Sequence, residues 1–243
     1  DKEISKTELK YSKSKPIDLL NSKEAITLMI QEQKDGIDII NKQVKSLIRI
    51  IDQVYEHLLN FSTGRIIYCG AGTSGRIGVQ DGAELYPTFG WPKDRTDFLI
   101  AGGKNALVNS FEGAEDNVQK AEKFFNKLNI CSKDVVIGIA ASGNTPFTCE
   151  VQRKAKRKKA LTIGITNNPN GKIIKFSKLN LILDTGQEVI AGSTRLKAGT
   201  VQKVCLNIIS SMVMIKFGFV KNGLMNNMVP MNEKLRLRKK MIE

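Results

Sequence analysis

Short apolar runs alternate with amphipathic segments through most of this sequence, and this alternation constrains the fold more than any other feature. The apolar runs occupy residues 65–69, 97–101, 134–140, 161–166 and 179–184. The helical segments occupy residues 74–85, 115–128, 146–159 and 194–217. Strands that alternate with helices form a parallel sheet with helices on both faces. We therefore predict an α/β, three-layer sandwich around a five-stranded, mainly parallel sheet.

The N-terminal part of the chain follows a different pattern. We predict an extended or partly ordered arm over residues 1–22, which contains Pro16. Two helices are predicted after it, over residues 23–34 and 35–61. In the second of these segments the apolar residues recur at helical spacing. We expect this N-terminal part, residues 1–60, to pack on the α/β core or on a partner subunit.

The composition is that of a globular protein with an excess of positive charge. Of the 243 residues, 41% are hydrophobic and 26% are charged, and the formal net charge is +14. This charge favours anionic partners: nucleic acid, a membrane surface or a phosphorylated small molecule; a generally basic surface explains it equally well. The basic run at residues 153–159 has no interleaved aromatic residues, so we expect a solvated helix face and no nucleic-acid binding.

Cysteine spacing and the apolar runs bear on the location of the protein. No C-x-x-C pair occurs among Cys69, Cys131, Cys149 and Cys205, which disfavours a zinc site or a disulfide framework and fits a reducing compartment. The N-terminal residues are too charged for a signal peptide. The most apolar run, residues 204–220, is interrupted by polar residues and predicts a buried helix. We expect a cytoplasmic protein without membrane contact.

A glycine-rich turn follows the first predicted strand. Gly70, Gly72 and Gly75 have the spacing G-x-G-x-x-G, which is typical of dinucleotide-binding turns. That interpretation requires an acidic residue at the end of the second strand, but the sequence there is LIAGGKN. A Walker loop is also excluded, because Arg76-Ile77 replaces the required Lys-Ser/Thr pair. The turn therefore predicts neither class of nucleotide site.

Two loops rich in glycine and hydroxyl groups come directly before predicted helices. The first contains Gly72, Thr73, Ser74 and Gly75, and the second contains Ser142, Gly143, Asn144 and Thr145. Free N–H groups at a helix start bind phosphate, and both loops follow strands whose carboxyl ends lie at one edge of the sheet. The loops thus favour one compact phosphorylated ligand. The alternative is that the hydroxyl groups are ordinary helix caps.

Several ungapped motifs resemble the N-acetylmuramic acid 6-phosphate etherases, which share the sugar isomerase fold group with the glucokinase regulatory proteins. These motifs are GAGTSGR, EGAED, GIAASGNTP, ITNNPN, EVIAGSTRLKAGTVQK and NEKLR, within residues 20–238. Gln187 departs from the Pro or Ala expected there. The resemblance implies a phosphosugar-binding domain over residues 61–243, without the family's usual small C-terminal helical region.

The resemblance also implies the reaction. N-acetylmuramic acid 6-phosphate would be split into N-acetylglucosamine 6-phosphate and D-lactate by elimination followed by water addition. Such a site needs an acid, a base and a phosphate anchor, but no metal and no other cofactor. Glu84 and Glu115 match the family's catalytic pair. We expect Glu84 to protonate the departing lactate oxygen and Glu115 to act on the C2 proton, although the two roles could be exchanged.

The segment EVIAGSTRLKAGTVQK supplies further polar candidates. Ser193 and Thr194 are expected at a third helix start that faces the phosphate, and Lys197 is expected to neutralise it. The weaker candidates are Lys203 and, near the lactyl carboxylate, Lys234. Glu188 completes the predicted set of binding residues.

The position of Glu84 raises a geometric problem. Glu84 follows Ser74 by ten residues, which is roughly 15 Å along a continuous helix and longer than a hexose. Either the helix bends near Gly78 or Gly82, or another subunit completes the site. The resemblance implies sites at a dimer interface, so we expect a homodimer with shared sites.

Two other functions remain as alternatives. A non-catalytic phosphosugar-sensing regulator of the glucokinase regulatory protein type would keep the phosphate loops but would not need the two glutamates. A sugar-sensing transcription regulator is disfavoured, because no DNA-binding module precedes the sugar-binding region. The single histidine, His57, lies within a predicted helix and is not expected to be catalytic.

Overall fold

The computed structural model describes residues 4–111 and 113–230. The main elements in chain order are α1 Ser22–Asn41, α2 Val44–Asn60, β1 Ile66–Gly70, α3 Gly72–Ala83, α4 Leu85–Phe89, β2 Thr96–Ile100, α5 Val118–Lys127, β3 Val135–Ala140, α6 Pro146–Arg157, β4 Leu161–Thr166, α7 Ile173–Phe176, β5 Leu179–Ile182, α8 Lys197–Lys216, β6 Val220–Lys221 and β7 Leu224–Met225. Single 3₁₀ turns lie at Lys6–Glu8, Ile17–Leu19, Lys93–Arg95, Lys104–Leu107 and Ala114–Asp116.

The five strands β1 to β5 form one sheet in the order β2-β1-β3-β4-β5, and every pair within it is parallel. The predicted five-stranded α/β fold is therefore confirmed. The two-residue strands β6 and β7 form a small antiparallel hairpin after α8, which the sequence pattern did not predict.

Helices cover both faces of the sheet. Successive side chains of each strand point to opposite faces, so both faces carry apolar residues that must be buried. On one face Tyr68, Ile137 and Ile163 join the apolar residues of α2 and α8. On the other face Ile67 and Val136 pack with residues of α5 and α6. This arrangement is the predicted three-layer sandwich.

The N-terminal arm and its helices pack on the core of the same chain. α1 and α2 both contact α8. α1 runs without interruption to Asn41, so the boundary predicted at residues 34–35 is wrong. The helix begins with a capping box, in which Asn21 accepts from the N–H of Glu24 and Glu24 accepts from the N–H of Asn21. The predicted division of the chain at residue 60 stays a prediction.

A buried ion pair fixes the amino ends of three strands. Arg65, directly before β1, donates to Asp134 before β3 at 2.9 Å and to Asp97 in β2 at 3.0 Å. Asp134 is 2% exposed and also accepts the backbone N–H of Cys131. This network aligns the central strands at the edge opposite the predicted phosphate loops.

α8 is the one helix in the described ranges with the length and hydropathy of a membrane span, and 56% of its most apolar window is buried in the fold. It packs against α1, α2 and α3. Burial of this kind is what a core helix requires, and it accounts for the apolar run at residues 204–220.

Candidate functional site

The first loop forms the start of α3 at the carboxyl end of β1. The helix begins at Gly72, so Thr73 and Ser74 lie inside its first turn, and no side chain in the described part of the chain caps it. The interpretation of these hydroxyl groups as ordinary helix caps is therefore wrong for this loop. The first N–H groups of α3 remain available to an anion.

The second loop repeats this arrangement on the neighbouring strand β3. Thr145 is the N-cap of α6 but makes no side-chain capping bond, and Pro146 occupies the first turn as predicted. Gly143 has a φ of +67°, and a Cβ added there would lie 2.6 Å from the Cα of Gly171. Only glycine satisfies both the backbone angle and the close approach. The two loops thus present two uncapped helix starts at one edge of the sheet.

A chain of hydrogen bonds links the first loop to α8 and to the end of β4. Ser74 donates to Gln202 at 2.9 Å, Gln202 donates to Asn167 at 2.8 Å, and Asn167 donates to the carbonyl of Leu183 at 3.1 Å. A backbone carbonyl can only accept, so it fixes the direction of every bond in the chain. The Ser74 hydroxyl therefore donates its proton within the protein.

Two residues of this hydrogen-bond network, Gln202 and Asn167, were not predicted from the sequence. Gln202 is fully buried, and Asn167 is 1% exposed. Both residues lie in motifs that were quoted for the family resemblance, TNNPN and KAGTVQK. The signal that could have found them is a polar amide side chain in a motif shared with the family, since a buried polar side chain needs a partner.

Gln202→Met should destabilise the fold. The substitution leaves the Ser74 hydroxyl and the Asn167 carbonyl oxygen without partners, at a cost of about 1–3 kcal/mol for each buried group. Urea denaturation measures this loss as a lower midpoint. Lys203→Met is the matched control, because Lys203 is the next residue of α8 and is exposed. Equal urea midpoints for the two variants would show that these hydrogen bonds do not stabilise the fold.

The second loop is braced by the loop after β4. The side chain of Asn168 donates to the carbonyl of Ser142 at 2.9 Å. The N–H of Asn144 donates to the Ser142 hydroxyl at 3.1 Å, and the N–H of Lys172 donates to the Asn144 carbonyl oxygen at 3.0 Å. Ser142 and Asn144 are therefore held in position before any ligand binds, which lowers the entropic cost of binding.

The third predicted helix start differs from the other two. α8 begins at Lys197, three residues after Thr194. The buried carboxylate of Glu188 accepts the N–H groups of Lys197 at 3.1 Å and Ala198 at 2.8 Å. The N–H of Gly199 donates to the carbonyl of Thr194. This helix start is already satisfied within the protein, so a phosphate there would compete with Glu188 for its N–H groups.

Glu188 acts here as a helix cap. Burial raises the pKa of its carboxyl group, although the two backbone N–H groups and Lys197 act in the opposite direction. A carboxylate at a helix N-terminus is also favoured by the helix dipole. Binding of substrate by Glu188 stays a prediction, as it does for Ser193 and Thr194.

Lys197 forms a buried ion pair with Glu32 of α1 and donates to the carbonyl of Gln187 at 2.8 Å. Lys197 is 2% exposed and Glu32 is 3% exposed. Tyr11 and Lys13 of the N-terminal arm donate to the same carboxylate. The ammonium group thus neutralises a protein carboxylate. A contact with phosphate, as predicted for Lys197, would compete with this pair.

The two predicted catalytic glutamates are both exposed. Glu84 ends α3, and Glu115 lies in the 3₁₀ turn Ala114–Asp116. α3 is a single helix of 12 residues, so Glu84 lies about 18 Å along the axis from the first phosphate loop. Gly82 packs against the rings of Tyr68 and Phe98, where a Cβ would lie within 2.7 Å of both. Close packing, not a bend, explains the glycine.

Arg76 connects the first loop to the segment that leads to Glu115. From the second turn of α3 its guanidinium group donates to the carbonyl oxygens of Ala106 at 3.1 Å, Leu107 at 3.2 Å and Asn109 at 3.0 Å. This residue, which replaces the Walker lysine, therefore has a positioning role.

A cleft of about 450 Å³ lies beside the second loop. Its lining includes Asn144, Pro146, Asp116 and Lys172, together with Lys6 of the N-terminal arm. Asp116, the residue after Glu115, thus brings the 3₁₀ turn Ala114–Asp116 to the edge of the cleft. Lys203 is exposed on α8. Lys234 lies outside the described residues.

The five-stranded parallel sheet, with two uncapped helix starts at one edge, is the fold of a phosphosugar-binding domain of the SIS type. The SIS domain family matches residues 103–212, and the glucokinase regulatory protein N-terminal SIS domain family matches residues 46–155. The Vibrio vulnificus NanR protein, solved in complex with ManNAc-6P, has a TM-score of 0.56 at 15% identity and covers 83% of this chain and 66% of its own. At this identity the likeness shows the fold alone.

Similarity over most of the chain identifies the family within this class. An N-acetylmuramic acid 6-phosphate etherase of Geobacillus sp. (strain WCH70) is 41% identical over 97% of this chain and 79% of its own length. The etherase of Clostridium acetobutylicum is 41% identical over 90% of this chain and 72% of its own length. The chain belongs to the N-acetylmuramic acid 6-phosphate etherase family.

Proposed function

We propose that this protein cleaves the D-lactyl ether of N-acetylmuramic acid 6-phosphate and releases N-acetylglucosamine 6-phosphate and D-lactate. The observation that carries the proposal is the pair of uncapped helix starts at the ends of β1 and β3, which suits one phosphate group. The etherase relatives support this substrate. They also favour the enzyme over the alternative of a phosphosugar-sensing regulator.

The proposed chemistry is that of a carbon–oxygen lyase. With the sugar ring open, the C2 proton lies next to an aldehyde and is acidic enough to remove. Its loss expels lactate from C3, and water then adds to C3 of the unsaturated aldehyde. In this mechanism Glu115, next in sequence to the cleft residue Asp116, acts on the C2 proton. Glu84 protonates the departing lactate oxygen and later acts on the incoming water.

A homodimer with shared sites accounts for the distance between the phosphate loop and Glu84. A hexose phosphate cannot span about 18 Å, so Glu84 serves the site of a second copy. Exposed apolar side chains support a partner surface: Val108 is 84% exposed, Phe111 is 47% exposed and Ile30 is 52% exposed. We place the enzyme in the cytoplasm, in the recycling of peptidoglycan sugars.

Release of D-lactate tests the proposal directly. We expect the purified protein to release D-lactate from N-acetylmuramic acid 6-phosphate, as followed with a coupled D-lactate dehydrogenase. The unphosphorylated sugar is the control, and it should give little release because the phosphate loops have no group to bind. Protection of the fold by the substrate against heat, without any lactate, would favour the regulator instead.

A further inference from the structure

Within residues 4–111 and 113–230, the two loops have no lysine or arginine of their own, and the lysine predicted to neutralise the phosphate is paired elsewhere. Lys197 is buried against Glu32, and the helix start that it belongs to is capped by Glu188. The first two loops offer backbone N–H groups and the hydroxyl groups other than that of Ser74, none of which carries a full charge. A phosphate monoester carries nearly two negative charges at neutral pH, so a full positive charge near these loops would add to its binding.

Lys172 lies where such a charge is needed. Its backbone N–H donates to the side chain of Asn144 at 3.0 Å, which fixes it beside the second loop. Its side chain is exposed and lines the same cleft as Asn144 and Pro146. Within residues 4–111 and 113–230, no carboxylate lies within ion-pair distance of its ammonium group, whereas Lys6 in the same cleft is paired with Asp184.

The start of α6 and Lys172 border the same cleft, since Pro146 and Lys172 both line it. Burial raises the pKa of the nearby Cys149 thiol to about 11, and the charge of Lys172 acts on it in the opposite direction.

We propose that Lys172 binds the phosphate of the sugar substrate and sets the preference for phosphorylated over unphosphorylated sugars. The inference rests on the proposed function for the identity of that substrate. The ammonium group forms charge-assisted hydrogen bonds with the phosphate oxygens, while the loop N–H groups bind from the other side.

Calorimetric titration tests the inference without turnover. Lys172→Met should raise the Kd of N-acetylglucosamine 6-phosphate about tenfold, which corresponds to about 1.4 kcal/mol. The Kd of unphosphorylated N-acetylglucosamine should not change, and Lys172→Arg should retain most of the affinity. Lys175→Met is the matched control, because Lys175 is exposed on α7, the short helix that follows Lys172, and is not among the residues that line the cleft.

An unchanged Kd for the phosphorylated sugar in Lys172→Met, or an equal loss for both sugars, would overturn the inference. The lactate assay separates this failure from that of the proposed function. A wild-type protein that releases lactate while Lys172→Met binds normally would refute only the role of Lys172. A phosphate-selective loss in a protein that releases no lactate would refute only the etherase activity.

Discussion

Glu84→Gln should reduce the rate of D-lactate release by about 10²- to 10⁴-fold, the usual contribution of a general acid or base. Glutamine keeps the size of the side chain but cannot exchange a proton. Glu84 is exposed at the end of α3, so the melting temperature and the affinity for N-acetylglucosamine 6-phosphate should stay as in the wild type. Asp94→Asn, at another exposed carboxylate, is the matched control and should remain fully active. Normal turnover by Glu84→Gln would remove this residue from the mechanism.

Mixed dimers extend this prediction to the shared site. When Glu84→Gln subunits are exchanged with Glu115→Gln subunits, each mixed dimer should contain one site with both wild-type glutamates. Activity should therefore reappear on mixing, although each parent is inactive. If no activity returned in verified mixed dimers, both glutamates would have to come from one subunit, and α3 would have to move for Glu84 to reach the substrate.

Lys197→Met should destabilise the protein by about 3–5 kcal/mol, the usual cost of leaving a buried charge without its partner. Glu32 would retain Tyr11 and the exposed Lys13, but its carboxylate would lose the buried cation. Urea denaturation measures the change. Adding Glu32→Gln should restore part of the loss, because the unpaired charge is then removed.

The pH dependence of this variant has a definite sign. Burial acts to raise the pKa of Glu32, but the hydrogen bonds from Lys197, Tyr11 and Lys13 outweigh it and hold the pKa below its ordinary value of 4.5. A carboxyl group with a lowered pKa contributes stability above its unfolded pKa, and that contribution is lost as the pH falls through the folded value. The difference in free energy of unfolding between the wild type and Lys197→Met should therefore shrink as the pH falls into the acid range. If Lys197→Met were as stable as the wild type but bound the phosphorylated sugar more weakly, Lys197 would instead be a residue that binds the phosphate.

Features that depend on neighbouring residues could be predicted from the sequence. The strands, the crossover helices and the two helix starts after β1 and β3 follow from apolar runs and from glycine and hydroxyl residues within a few positions. The helix boundary predicted at residues 34–35 is wrong, and Gly36 lies beside it. Gly36 interrupts the pattern, yet it is needed because the side chain of Lys197 packs over it, 2.8 Å from where a Cβ would lie.

Features that depend on remote partners could not be predicted. Nothing near Lys197 in the sequence indicates that its charge is taken by Glu32, and nothing near Ser74 indicates Gln202. The capping of α8 by Glu188 was missed for a related reason, since the carboxylate precedes the helix by nine residues and reaches it through a folded loop. In each case the sequence supplied the right residue types, and the tertiary fold assigned their roles.

The contact between the N-terminal arm and the start of α8 has a consequence for synthesis of the chain. Glu32 and Lys197 are 165 residues apart, and Lys6 and Asp184 are 178 apart. A ribosome therefore releases the arm and α1 long before their partners exist, and contacts of such long range form slowly. The carboxylate of Glu32 must stay hydrated until α8 emerges. The arm is thus made well before the segments that it contacts, and it is among the last described parts of the chain to reach its folded position.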